Sequence, residues 1–280
     1  MSKPGHNQIR AAGRRAFTLI ELLVVIAVIG LLLAVLIPVL KEAKKQAHAV
    51  ICRSNLKQWG AIFALYAQDN QEKLPQSIAG GRLNAQQAYW IMATLPYYEA
   101  KNIRLCPSTR VEGGRVNRQY GSTTLAWGPF DPGAESDWWS DFDAGGYGIN
   151  DWCAAPPPDV EAFWGFPSAN AWKTMSARGA GNVPLFLDCV YLDGFPLDTD
   201  SPLGQNPGDE RWNITWGLWS SQALRLYCID RHKGGINGVF LDLSAQKIGL
   251  KSLWRLKWHR QFNTAGWQGK WPEWMEKYKD

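Results

Sequence analysis

The sequence predicts an α+β fold: a long N-terminal helix, half membrane-spanning and half amphipathic, packed against a C-terminal antiparallel β-sheet domain with long loops. Three observations predict it. Residues 22–40 (LLVVIAVIGLLLAVLIPVL) run for nineteen residues without a charge. Leu40, Ala43, Ala47, Val50, Ile51, Leu56, Trp59, Ile62, Phe63 and Tyr66 then largely keep the i, i+3, i+4, i+7 spacing of one helix face. Short β-type runs follow late in the chain, and a helix followed by antiparallel strands is an α+β layer pattern.

The first element is basic. Of the formal charge of +5, four units come from Lys3, Arg10, Arg14 and Arg15 within residues 1–16, which hold no acid, so the rest carries +1. The positive balance is local to this segment and gives little support to nucleic-acid binding. The apolar run after it spans about 30 Å as a helix, the thickness of a bilayer core, and no other stretch approaches it. A secretory signal peptide has an apolar core of roughly 7–15 residues and then a small-residue cleavage site. This run is longer and continues into KEAKKQAHAV, so a membrane anchor fits better. Glu21 stands at its start. A carboxylate at the bilayer centre costs about 2.5–3.5 kcal/mol, so Glu21 either snorkels to the interface or finds a cationic partner. Gly30 and Pro38 are candidate kink points, since a helical proline removes one hydrogen bond. The downstream spacing predicts that the helix resumes and runs to about Asn70.

Beyond the helix, Asp69, Asn70 and Pro75 are stop and turn chemistry. A shorter helix is expected over 85–95, then long loops over 113–170, with a short strand near 146–150. Strands are expected over 183–190 (VPLFLDCV), 224–229 (LRLYCI), and 238–243 with 246–250 around a tight turn. A helix from 252 to about 262 precedes a Trp-rich tail. Five cysteines without CxxC spacing argue against a zinc site. Asp193, Asp198, Asp200 and Asp209, with Asp188 just before them, make an acidic stretch. Without EF-hand spacing a solvated loop is favoured over structural calcium, so no cofactor is expected. Sixteen tryptophans suit core and interface packing, or alternatively sugar-stacking platforms.

Residues 14–30, RRAFTLIELLVVIAVIG, resemble the signal of type IV prepilins and type II secretion pseudopilins. The resemblance implies cleavage by a membrane aspartic peptidase between Ala16 and Phe17, then methylation of the Phe17 amino group; Gly13 is a weaker alternative site. Ala16 stands where the family usually has Gly. It also implies that Glu21 pairs with the freed ammonium of Phe17 on a neighbouring subunit and fixes axial register. The chain then divides into a basic leader (1–16), a filament-core helix (17–40), an amphipathic spine (41–70) and a head (71–280). Cys52–Gln58 (CRSNLKQ), Tyr66–Asn70 (YAQDN) and Arg104–Ser108 (RLCPS) resemble strings of a pseudopilin-like subfamily. Its C-terminal signature is a His, nine residues, then Asp-Gly; here His232 and Asp242 match, and Leu243 replaces the Gly. A structural hydrogen bond between His232 and Asp242 is expected rather than a catalytic dyad, since no GxSxG, HExxH or CxxC accompanies them. An oxidising compartment favours pairing of cysteines, and Cys52–Cys106 is the first choice because both fall in subfamily strings. Cys153, Cys189 and Cys228 remain.

What the resemblance implies is a non-enzymatic filament subunit, pilin-like in fold. It would be single-pass in the inner membrane before assembly and periplasmic or extracellular after it. Its expected partners are copies of itself or other pilins, the prepilin peptidase and an inner-membrane platform. The alternative is a minor or tip subunit whose Trp-rich head binds polysaccharide or secreted cargo.

Overall fold

A computed structural model describes residues 18–76, 90–111, 120–128, 144–163, 165–204 and 222–279. The leader, Ala16, Phe17, Asp209 and residues 85–89 of the expected 85–95 helix lie outside them. The chain divides into two compact units, residues 1–44 and 45–280, and the boundary falls inside helix α1 (Leu19–Asp69).

In the first unit the described chain is the opening part of α1. Leu, Ile, Val and Ala dominate it, and the helix continues through both Gly30 and Pro38. Its large apolar side chains are uncovered, from Leu19 at 79% exposed to Leu33 at 45%. The helix is long and apolar enough to cross a membrane.

The second unit begins where α1 acquires a buried face. Cys52, Leu56, Trp59, Ile62, Phe63 and Ala67 point into the core. The ring of Phe186 lies 5.0 Å from Trp59 and 5.6 Å from Phe63. The helix ends at Asp69, and Glu72 N–H returns to the Ala67 carbonyl at 2.8 Å. Gln71 and Glu72 take left-handed φ angles of 58° and 62° to turn the chain.

Opposite α1 lies a five-stranded sheet of β1 (Tyr147–Asn150), β4 (Pro184–Asp188), β5 (Asp193–Gly194), β6 (Gly235–Phe240) and β7 (Ala245–Gly249), in the order β5-β1-β4-β6-β7. Every pairing is antiparallel except β1 with β5. Strands β2 (Ala162–Phe163) and β3 (Phe166–Pro167) form a separate hairpin. All of β1, β4 and β6 is buried, whereas β7 buries only Ile248. Gly60 lets α1 approach the sheet: a Cβ there would stand 2.8 Å from Val239 Cγ2. The α+β expectation holds, with the long N-terminal helix packed on a largely antiparallel sheet.

Several local expectations change. Residues 224–229 were expected as a strand, but Leu224–Tyr227 form a helical turn, α3. An apolar run this short cannot be assigned by periodicity, and the deciding partner is distant: the Asp200 carboxylate accepts from Leu224 N–H at 2.8 Å. The expected helix over 252–262 is only a 3₁₀ turn, Lys251–Arg255. Beyond it, the amides of Lys257 and Arg260 donate to the Asn182 and Asn170 carbonyls instead of to their own helix. Trp90–Thr94 is helical (α2) and is followed by a 3₁₀ turn, Leu95–Tyr97. A last short helix, α4, spans Glu273–Glu276.

The β6–β7 turn holds Leu243 in an unusual backbone conformation. Leu243 adopts φ 65°, the left-handed region in which glycine is at ease. Its N–H donates to the Phe240 carbonyl at 2.9 Å.

The buried tryptophans act as packing anchors that also hold loops. Trp59, Trp90, Trp127, Trp152, Trp254 and Trp258 are all nearly inaccessible. Each indole N–H donates to a backbone carbonyl, those of Ile103, Leu192, Tyr147, Pro196, Asp200 and Leu253 respectively. A buried indole N–H needs such a partner, and here three of the six, Leu192, Pro196 and Asp200, lie outside helix and strand. Trp138, Trp139, Trp164, Trp212, Trp216 and Trp219 lie outside the described residues.

Candidate functional site

The N-terminal site starts at Thr18, the first described residue. Its hydroxyl accepts from Glu21 N–H at 3.2 Å, and Glu21 Oε2 accepts from Thr18 N–H at 2.8 Å and from its hydroxyl at 2.9 Å. This is a capping box, in which the N-cap and third helical residues satisfy each other's free amides. The T-x-x-E spacing of Thr18 and Glu21 is the sequence signal that announces it. Glu21 therefore has a local partner even before assembly. Ala16 and Phe17 lie outside the described residues, so the geometry of the Phe17–Glu21 pair is not part of the site seen here. Nothing lies within 4 Å of a Cβ built on Gly30, and Pro38 is exposed within the helix.

A second constellation is buried in the head, centred on Asp188 at the end of β4. Arg231 Nη1 donates to Asp188 Oδ1 at 3.1 Å, and His232 Nε2 lies 3.0 Å from Oδ2. Asn237 N–H donates to Oδ2 at 2.8 Å. Cys52 Sγ, from α1, lies 3.6 and 3.5 Å from the two carboxylate oxygens. Cys106 Sγ lies 3.5 Å from His232 Nε2. Burial alone would push the Asp188 carboxyl up, but the hydrogen bond and charge of His232, then Arg231, outweigh it and hold it at about 2. Burial likewise opposes the charged His232 imidazole, yet its bonds to Asp188 and Cys106 raise it to about 9. Arg231 is fully engaged: its guanidinium also donates to the carbonyls of Thr123, Ser122, Gly146 and Cys189. Its role was not legible in the sequence, although it immediately precedes His232.

His232 and Asp242 do not pair. They flank opposite ends of β6, a six-residue strand about 20 Å long, so the strand that links them also separates them. Asp242 sits in the β6–β7 turn, where its Oδ1 accepts from the amide and hydroxyl of Ser244 at 2.9 and 2.6 Å. The histidine's carboxylate is Asp188 instead. Cys52 and Cys106 are brought together, as the sequence suggested, but stand as neighbouring free thiols rather than as a bridge. Cys153, Cys189 and Cys228 are also buried free thiols.

Among the described residues, the acidic stretch does not converge. Asp200 accepts from the amides of Leu197 and Leu224 at 3.2 and 2.8 Å, and burial, partly offset by these bonds, lifts its carboxyl to about 7. Asp198 accepts from Asn263 N–H at 3.3 Å. Asp193 is buried in β5 beside Asp151, whose carboxyl is pushed up by burial and then by the Asp193 charge. The geometry gives these three carboxylates separate partners and so lends no support to a calcium loop.

Residues 12–37 match the family model described as the prokaryotic N-terminal methylation motif. No curated protein and no solved structure matches the chain. The motif supports a pilin-type subunit processed by prepilin peptidase, and the apolar helix that it opens fits an inner-membrane-anchored precursor. The capped, uncovered helix and the motif that overlies it support a type IV pilin- or pseudopilin-like protein.

Proposed function

We propose that the chain is a structural subunit of a type IV pilus-like or type II secretion pseudopilus filament. Prepilin peptidase removes residues 1–16, and the subunit polymerises through the helix beginning at Phe17. The observation that carries this reading is the methylation motif at residues 12–37 lying over an apolar helix whose side chains are left uncovered within the chain. A surface of this size facing water is unfavourable at roughly 25 cal/mol per Å², so it belongs first in lipid and then against neighbouring helices. Glu21, relieved of its Thr18 bonds or sharing them, neutralises the Phe17 ammonium of an adjacent subunit; Gly30 and Pro38 are points where the packed helix adjusts.

The structural reading is favoured over a sugar-binding tip subunit because the buried indoles among the described residues are spent on internal packing. Electron microscopy of sheared surface fibres, with mass spectrometry of their proteins, tests it. Fibres containing this chain are expected. Fibres lacking it, in cells that make and process the chain, would count against a filament role, and glycan binding by the intact chain would favour the tip reading.

A further inference from the structure

We propose that Cys52, Cys106, Asp188 and His232 form a four-ligand site for a structural zinc ion in the head. One ligating atom from each of these residues lies within 4.8 Å of the others, and all four residues are buried. Tetrahedral zinc, with bonds of about 2.3 Å to sulfur and about 2.0–2.1 Å to nitrogen or oxygen, sets ligand–ligand edges of about 3.3–3.8 Å. The Cys106–His232 edge is 3.5 Å and the Cys52–Asp188 edge 3.5 Å. The Asp188–His232 edge is shorter, 3.0 Å, as befits two groups in direct contact that an ion would part.

The donor set points to the metal. Two thiolates with an imidazole and a carboxylate suit zinc, whereas calcium and magnesium take oxygen ligands. Charge closes as well: zinc(II) with two thiolates and one carboxylate carries −1, and the buried Arg231 guanidinium on Asp188 Oδ1 cancels it. Arg231, held by four backbone carbonyls, fixes the carboxylate as an outer-shell partner does. His232 lines an open cleft of about 500 Å³ with Lys45, Ala49 and Asn237, and Cys106 lines a second cleft, so an ion has a route in. With all four positions filled by protein the site is closed, hence structural rather than catalytic. It would tie α1, the loop at Cys106, the end of β4 and the segment before β6 at one point. The absent CxxC spacing hid it, because each ligand comes from a different part of the chain.

The test uses the full-length chain, purified in detergent without chelators and equilibrated with zinc(II). The result expected is one zinc per chain by elemental mass spectrometry, with Cys52 and Cys106 both free when thiols are mapped after denaturation. Cys52→Ser and Cys106→Ser are expected to lose that zinc, while Cys228→Ser, buried elsewhere, retains it. Should the serine variants fail to fold, cobalt(II) loading of the unmodified chain decides: thiolate-to-cobalt charge-transfer absorption is expected, and its absence overturns the site. A Cys52–Cys106 disulfide in the isolated chain, or free thiols with no zinc bound, overturns it equally.

Discussion

The two parts of α1 share one backbone and meet opposite surroundings. Residues 45–69 carry Cys52, Leu56, Trp59, Phe63 and Ala67 into a closed core, whereas between residues 19 and 40 the large apolar side chains are open on every side. An amphipathic face is completed by its own domain, while a helix apolar all round is completed only by lipid or by other helices. Folding of the head and assembly of the filament are therefore separable, and variants along the same helix should divide cleanly between them.

The largest effect belongs to Glu21. Glu21→Ala removes both the charge and the capping box, whereas Glu21→Gln keeps a capping residue and removes only the charge. Both are expected to insert in the membrane and yield no fibres by electron microscopy. Normal fibres from Glu21→Gln alone would show that capping, not pairing with Phe17, is what assembly needs.

Next comes truncation in each part of the helix. Trp59→Ala empties a fully buried site and strands the Ile103 carbonyl that its indole binds, so the head should lose about 3–5 kcal/mol of stability in denaturant unfolding. Leu31→Ala, at a side chain 69% exposed, should change head stability by less than about 0.5 kcal/mol. A large loss from Leu31→Ala would mean that the two regions do not fold independently.

The two glycines of α1 sharpen the same contrast. Gly60→Ala would push a Cβ to 2.8 Å from Val239 and should cost about 1–3 kcal/mol by overpacking. Gly30→Ala meets nothing within 4 Å and should leave the head unchanged. A fibre defect confined to Gly30→Ala would place a neighbouring subunit close against that face. The smallest effect is Leu243→Gly, which relieves a left-handed φ of 65° and should raise head stability by about 1 kcal/mol or less. A measured loss would show that the Leu243 side chain near Gly60 contributes more than its strained backbone costs.

These residues also show what was legible in the sequence. The apolar run and the FTLIE string are local, and local signals survive without knowledge of the fold; so did the helix end, expected at about Asn70 and found at Asp69. The capping box is equally local, its T-x-x-E signal lying within the same string as the charge of Glu21. What could not be read depends on partners far along the chain. Asp200 turns residues 224–227 into a helix from 24 residues away. His232 finds Asp188, 44 residues earlier, instead of the Asp242 that sequence spacing offered. Four buried ligands from four segments carry no shared spacing at all.

The proposed function requires that the chain be cut ahead of Phe17 and that the exposed helix then enter a fibre. Mass spectrometry of the N-terminal peptide recovered from sheared fibres tests it most directly. A peptide beginning with N-methylated Phe17 is expected. A peptide from this chain that still carries residues 1–16 in the fibre, or begins elsewhere, would contradict it.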